Sequence, residues 1–527
     1  MGSVIWEELT DKDHLGHLFI LSMKKRPDAV CQIDAVTGES ETSASVLSRS
    51  IAVARCFRRL GYQVGDVMSL SGPNNINLHI PYYAALMNGL PIAGVDPTFK
   101  YDELEQALRV TRPRISFCMK AAYDDHIRAI QKLQLDTRVV TLDDGEHSMA
   151  DFVEIYDPKD INDADFEPAA FDPEKTFAWL VSTSGTTGIF KSAAITHKSI
   201  MDFIRIYFDR NIVNMRRNKK ILTLSPVQWI TGFSNAIYIP ATESIKLQTS
   251  SPSMEHIIDI INEYKPNRVL TSYSTIRDIL KHEKKCDLSC FDAIMLTGAK
   301  IHKDLIMDLK SRMRKDALCV EVYGQTESLG PVIQPNFNGP LGSCGKASEI
   351  SLVKLVDPET GKEITEPNIP GEMWTKGLSF TEYYNNPEET AKAFTEDGWY
   401  KTGDLLYRDQ DDNYYYVERI KMLIKYRSYH VTPVELEELI RTHPSVLDVG
   451  VTSVPNELDG EHPVAVVVRK PGTSITAQEI KDLVASKVSN SKLLRGGVVF
   501  VDELPLTSTG KVARMKLRQI AFNSNRE

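Results

Sequence analysis

Residues 182–191 read Ser182-Thr183-Ser184-Gly185-Thr186-Thr187-Gly188-Ile189-Phe190-Lys191 and follow an apolar run, Phe177 to Val181, that reads as a strand. Glycines let a loop turn its backbone N–H groups inward, the hydroxyls add donors, and Lys191 adds a positive charge; together these make a cradle for phosphate oxygens. The same composition also serves in solvated linkers, and the flanking strand and the lysine are what favour the cradle. The spacing is not that of a Walker loop, because Gly185 and Gly188 enclose only Thr186 and Thr187, and no G-x-G occurs anywhere for a dinucleotide fingerprint. Phosphate chemistry of another kind is left.

Such a loop needs a scaffold, and the hydrophobic pattern supplies one. From about residue 177 short apolar runs alternate with helix-spaced apolar residues: Ile221 to Leu224 and then Met254, Ile257, Ile258 and Ile261; Arg268 to Leu270; Ala293 to Leu296; a helix over Asp304 to Met313; and Leu318 to Val322. That βαβ rhythm predicts a largely parallel sheet flanked by helices, and residues 45–120 read as a related α/β half. Ile80 to Val95, broken by Asn88, Gly89, Pro91 and Gly94, reads as a buried helix turning into a strand and not as a membrane span. After about residue 405 the pattern changes to an acidic loop at Asp409 to Asn413, a helical segment from Val434 and strand-like runs at Val449 to Val454 and Val464 to Val468. The expected architecture is therefore α/β: a large N-terminal domain, 1–417, and a small mobile α+β domain, 418–527.

Bulk composition narrows the partners. The chain has 527 residues and a formal net charge of -9, which gives no reason to expect nucleic acid. Its 7 cysteines are odd in number and lack a CxxC pair, so they read as reduced thiols rather than a disulfide framework or a zinc site. No signal sequence, lipid anchor or membrane segment is expected, and the tail is not of the Ser-Lys-Leu type. An intracellular protein of the cytoplasm or peroxisome is the resulting expectation.

The phosphate-loop string is joined, in order, by T-G-A at 297–299, V-Y-G-Q-T-E-S at 322–328, Y-K-T-G-D-L at 400–405, R-I-K-M-L-I-K-Y at 419–426 and T-S-T-G-K at 507–511. This set resembles the adenylate-forming superfamily of acyl-CoA synthetases, 4-coumarate ligases, firefly luciferase and peptide-synthetase adenylation domains, over essentially the whole chain. K-L-L-R-G-G-V-V-F-V-D-E-L-P at 492–505 is most similar to the insect luciferase and acyl-CoA synthetase branch. Ligands bind such sheets beyond the strands' carboxyl ends, which is where the strings at 182, 297 and 323 begin.

The resemblance implies ATP, Mg²⁺ and CoA acting with a small carboxylic acid. Lys511 would reach the α-phosphate and the acid, Glu327 would hold Mg²⁺, and Thr326 would contact phosphate. Ser182, Thr183, Ser184, Gly185, Thr186, Thr187, Gly188 and Lys191 would surround the phosphates, with Gln325 and Gly324 beside them. Asp404, acceptor-only when ionised, would take two ribose hydroxyls with Arg419 assisting. Tyr323 would stack on adenine against Gly298 and Ala299, although an aromatic at a strand end also serves as core. Glu418 matches the hinge, and Lys425 the lysine of the thioester-forming arrangement. Trp229 and Gly232 match the acyl pocket, Trp229 reading equally as a core tryptophan; a large ring there favours a slim aliphatic acid. The implied activity is acyl-adenylate and then acyl-CoA formation from a medium- or long-chain fatty acid. A luciferase-like monooxygenase and a catalytically weak nucleotide- or acyl-binding protein are the alternatives. Three departures from the superfamily pattern matter: Ser192 and Ser428 stand where glycine is usual, and Thr297 replaces the first of two glycines.

Overall fold

The computed structural model describes residues 6–158, 161–184, 190–209, 219–251, 253–297, 303–330, 332–336, 339–348, 351–427, 429–507 and 511–527. Two seven-stranded sheets dominate. The first runs Glu382–Tyr383, Phe190–Thr196, Phe177–Ser184, Ile92–Gly94, Met68–Leu70, Ile115–Cys118, Arg138–Thr141. The second runs Leu318–Glu321, Ala293–Thr297, Arg268–Ser272, Lys220–Thr223, Ile245–Gln248, Val30–Asp34, Ser40–Thr42. Most neighbours in both are parallel, as the βαβ rhythm predicts.

The helix His79–Asn88 is buried along its whole length, which suits a segment without a polar face. It stops at Gly89, whose φ of 69° is a left-handed cap, and the chain re-enters the first sheet at Ile92–Gly94. Trp179, Phe19, Tyr82 and Phe57 fill the core between that sheet and its helices.

The structure departs from the expected order at the phosphate loop. Phe177 to Val181 is not the whole strand; it runs on to Ser184 and pairs antiparallel with Phe190–Thr196, so Thr183 faces Lys191 and Ser184 faces Phe190. The described part of the candidate loop is therefore two antiparallel arms, with Ser182, Thr183 and Ser184 on one and Phe190 and Lys191 on the other. Ser192 needs correction as well: it lies within the second arm, paired with Ser182, and is absent from the positive-φ residues, so no glycine-like conformation is required there.

A third, four-stranded antiparallel sheet, Ser351–Val356, Gly371–Gly377, Tyr400–Arg408 and Tyr414–Arg419, was not anticipated. The change of pattern near residue 405 falls inside it. Beyond Arg419 a separate small domain is built on Ile424–Tyr426, Tyr429–Val431, Val446–Asn456, Gly460–Arg469 and Gly497–Val501. Valines alternating along Val446–Asn456 and Gly460–Arg469 supply its two cores, one closed by helices Pro433–Arg441 and Ala477–Ala485, the other by Arg514–Asn523. Among the described residues, two ion pairs reach across to the rest of the molecule: Arg277 Nη1 to Asp448 Oδ2 at 3.7 Å, and Arg514 Nη2 to Glu418 Oε2 at 3.9 Å. No helix among the described residues is long and apolar enough to cross a membrane.

Candidate active site

Asp404 is the centre of the site. Gly403, with φ 68°, sits where the register of Tyr400–Arg408 shifts against Gly371–Gly377, and its N–H donates to Glu372 Oε1 at 3.0 Å. That left-handed residue, cheap only for glycine, precedes a carboxylate that is 2% exposed. Asp404 Oδ2 accepts from the Tyr323 hydroxyl at 2.9 Å and from Gln325 Nε2. Arg419 Nε stands 3.0 Å from Oδ1, close enough to neutralise it but not aimed as a donor, so this buried oxygen has a charge partner and no hydrogen bond among the described residues.

Gln325 links Asp404 to the next group. Its Nε2 also donates to Thr402 O at 3.0 Å, and its Oε1 accepts from the Tyr400 hydroxyl at 3.0 Å. Thr326 and Glu327 follow on a short turn, Thr326–Ser328, both half-buried. Glu327 Oε1 accepts from the Tyr383 hydroxyl at 2.8 Å, and its backbone carbonyl accepts from Phe380 N at 2.8 Å. Lys191 ion-pairs with Glu389 and stands 5.0 Å over the Tyr383 ring. One arm of the phosphate hairpin is thus tied to Glu327 through Tyr383.

Lys511 enters from the small domain. A local hairpin presents it: Thr507 N donates to Lys511 O at 2.7 Å, and Lys511 N donates to Thr507 Oγ1 at 3.2 Å. The side chain keeps accessible surface but is crowded by the cleft walls. That crowding, and then Arg419, hold its ammonium below the ordinary lysine range, while Asp404 pulls the other way. Arg419 loses solvation in the cleft, yet Asp404, Tyr416 and Glu327 more than offset this and raise its pKa. Burial first, and then Glu327, keep the Tyr383 phenol protonated. Carboxylates at 327 and 404 and cations at 419 and 511 thus share one electrostatic neighbourhood.

The remaining expected residues are placed less centrally. Tyr323 is buried in a small core with Val332 and Ile333, 6.1 Å from the Tyr416 ring, and Gly324 beside it is exposed. Trp229 is half-buried and precedes helix Ile230–Ala241. Gly232 is a packing requirement, because a Cβ there would stand 2.1 Å from Pro226 O. Glu418 is buried; burial raises its pKa and Arg514 opposes the shift. Lys425 is exposed on the small-domain hairpin, its N–H bonded to Glu461 Oε2 at 2.9 Å, and takes no part in the contacts around Asp404. Gly185, Thr186, Thr187, Gly188, Gly298, Ala299 and Ser428 lie outside the described residues, as does the side chain of Ser184. Tyr383, outside every quoted string, and Tyr400, which opens the 400–405 string but was given no role there, join the site through their hydroxyls.

The family model for AMP-binding enzymes matches residues 20–385, and that for the AMP-binding enzyme C-terminal domain matches residues 435–511. The chain belongs to the AMP-binding enzyme family. It is 32% identical over 498 residues to a luciferin 4-monooxygenase of Photuris pensylvanica, covering 92% of this chain and 91% of that protein. It is 29% identical over 502 residues to 4-coumarate–CoA ligase-like 9 of Arabidopsis thaliana, covering 94% and 87%. ATP-bound MatB of Rhodopseudomonas palustris superposes with a TM-score of 0.86 at 22% identity, covering 97% of this chain and 99% of that one.

Proposed function

We propose that this protein is an ATP-dependent acid:CoA ligase that activates a medium- or long-chain fatty acid. The observation that carries the reading is that Lys511, from the small domain, lies in the electrostatic field of Asp404, from the large one, and of Arg419 at the junction between them, which stands 3.0 Å from Asp404. A carboxylate has no good leaving group until it carries AMP. Its oxygen attacks the α-phosphorus of ATP, the bond from that phosphorus to the bridging oxygen of pyrophosphate breaks, and an acyl-adenylate remains. Two anions must meet in this step, and Lys511 and Arg419 place positive charge where they do. The unbonded Oδ1 of Asp404 is an acceptor suited to a ribose hydroxyl.

Among the described residues no three His, Cys, Asp or Glu side chains gather to hold a metal. Mg²⁺ at a nucleotide needs only one or two carboxylates beside phosphates and water, and Glu327, with its second oxygen unbonded among the described residues, fits that demand. When bound, Mg²⁺ would supply charge neutralisation on the triphosphate. In the second step the CoA thiolate attacks the acyl carbon and AMP leaves, the thiol proton going to solvent. We take this step to use a rotated small domain, hinged at Glu418 with domains 1–417 and 418–527, that presents Lys425. The half-buried Trp229 ring supports a narrow entrance suited to an aliphatic chain.

Acid-dependent ATP–pyrophosphate exchange over a panel of fatty and aromatic acids, followed by thioester formation with CoA, tests the proposal. Exchange is expected to be strongest with fatty acids; none with any acid would point to a nucleotide-binding protein without ligase activity. The likeness to luciferin 4-monooxygenase supports a second reading, oxidation of an adenylate by O₂, which light emission from luciferin, ATP and O₂ would reveal.

A further inference from the structure

Tyr383 occupies the gap between the phosphate hairpin and Glu327, and its surroundings are more ordered than a core tyrosine needs. Its strand pairs with Ala193 and Ala194 of the hairpin, Phe380 packs 4.8 Å from its ring, and Lys191 Nζ lies 5.0 Å over the ring. Lys191 is itself anchored by Glu389, on a helix whose N-cap, Asn386, accepts from Glu389 N at 3.1 Å. The hydroxyl held in this way donates to Glu327 Oε1 at 2.8 Å. Tyr400, packed against the same Phe380 at 5.4 Å, donates its hydroxyl to Gln325 Oε1 at 3.0 Å, and Gln325 reaches Asp404.

We propose that Tyr383 is a positioning residue that fixes the Glu327 carboxylate with one oxygen left for a divalent cation, and that Lys191 serves this arrangement by clamping the ring. The proposal rests on the ligase reading above. A half-buried glutamate on a short turn has several rotamers open to it, and the bond from Tyr383 selects one of them. A lysine or arginine partner would hold it too, but would cancel the charge a cation needs. A neutral phenol orients the carboxylate and leaves its charge intact.

Tyr383→Phe keeps the ring, its packing and the cation above it, and removes only the hydroxyl. Mn²⁺ binding in the presence of α,β-methylene-ATP, followed by electron paramagnetic resonance, is the direct readout; the Mg²⁺ dependence of pyrophosphate exchange is the second. The Mn²⁺ dissociation constant is expected to rise about tenfold, the scale of one hydrogen bond to a charged group, with KM for the acid and the melting temperature unchanged. Lys191→Met should move the Mn²⁺ constant in the same direction by a smaller factor. Unchanged Mn²⁺ binding in both variants overturns the proposal. So does wild-type protein that binds no Mn²⁺ with the nucleotide analogue, and in that case the ligase reading falls with it. If the wild type binds both but no acid supports exchange, the ligase reading fails alone and the Mn²⁺ comparison still decides the role of Tyr383.

Discussion

Truncating Lys511 to alanine should separate the two proposed half-reactions. Its backbone is held by the Thr507–Lys511 hydrogen bonds, neither of which uses the side chain. Stability should therefore change by no more than about 0.5 kcal/mol. The loss falls on charge: a cation about 4 Å from the reacting phosphate contributes roughly 4 kcal/mol at an effective dielectric of 20, which is about three decades of rate. Pyrophosphate exchange should drop by about that factor, while thioester formation from pre-made acyl-adenylate and CoA stays within a few-fold of wild type. A pH arm sharpens the test. Because burial and Arg419 depress the Lys511 ammonium, kcat/KM for ATP should fall as pH rises through a value below the ordinary 10.5, and that alkaline limb should be missing in Lys511→Ala. Exchange within about fivefold of wild type, or equal loss of both half-reactions, would refute the electrostatic argument.

Three further outcomes are expected. Asp404→Asn keeps the shape but removes the charge that would accept ribose hydroxyls, so KM for ATP in exchange assays should rise by at least about tenfold with KM for the acid unaltered. Ser428→Gly should speed the CoA step and leave adenylation alone, because the superfamily resemblance places a glycine at this position for the thioester-forming arrangement and glycine alone adopts left-handed backbone cheaply. Separate single-turnover assays of the two steps would check it. Lys246→Met should stabilise the protein at pH 7. Burial pushes this lysine down to about 8, with Cys31 and Glu41 opposing, so its cost is full below about pH 8 and is relieved as pH rises towards 10.5. At about 1.36 kcal/mol per unit the gain is on the order of 3 kcal/mol, reduced by about 1 for the lost hydrogen bond. That bond runs from Nζ to His79 Nδ1 at 3.0 Å. Urea unfolding at the two pH values measures the gain, which should vanish at the upper one.

Elements whose side chains answer to one local environment were legible in the sequence. The all-apolar helix His79–Asn88, its glycine stop and the parallel strands of both large sheets follow from period and punctuation. The antiparallel sheet containing Tyr400–Arg408 was not, since its four strands are assembled from segments spread between residues 351 and 419 and only one face reaches a core. The acidic turn at Asp409 to Asn413 drew attention as a boundary, although it merely joins two of those strands. The expectations at Glu327, Asp404 and Lys511 rest on the resemblance of their strings, and the structure adds that these charges lie in one neighbourhood around Arg419. Tyr383 and Tyr400 escaped because a phenol looks like core filler until its hydroxyl is seen against Glu327 or Gln325. Ser192 misled in the opposite sense: a glycine habit in the superfamily need not mean a glycine conformation here.

Three of the four ions in the two pairs that bridge the domains have a standby at home. Arg277 also meets Asp278 at 2.9 Å, Asp448 meets Arg441 at 3.1 Å, and Arg514 meets Glu437; Glu418, the exception, has only the adjacent N–H of Arg419 among the described residues. Undocking would therefore strand almost no charge in a dry place, the circumstance that makes broken buried pairs so costly. The energy difference between docked and undocked forms should then be shallow. In a shallow landscape, the occupant of the cleft decides which form prevails.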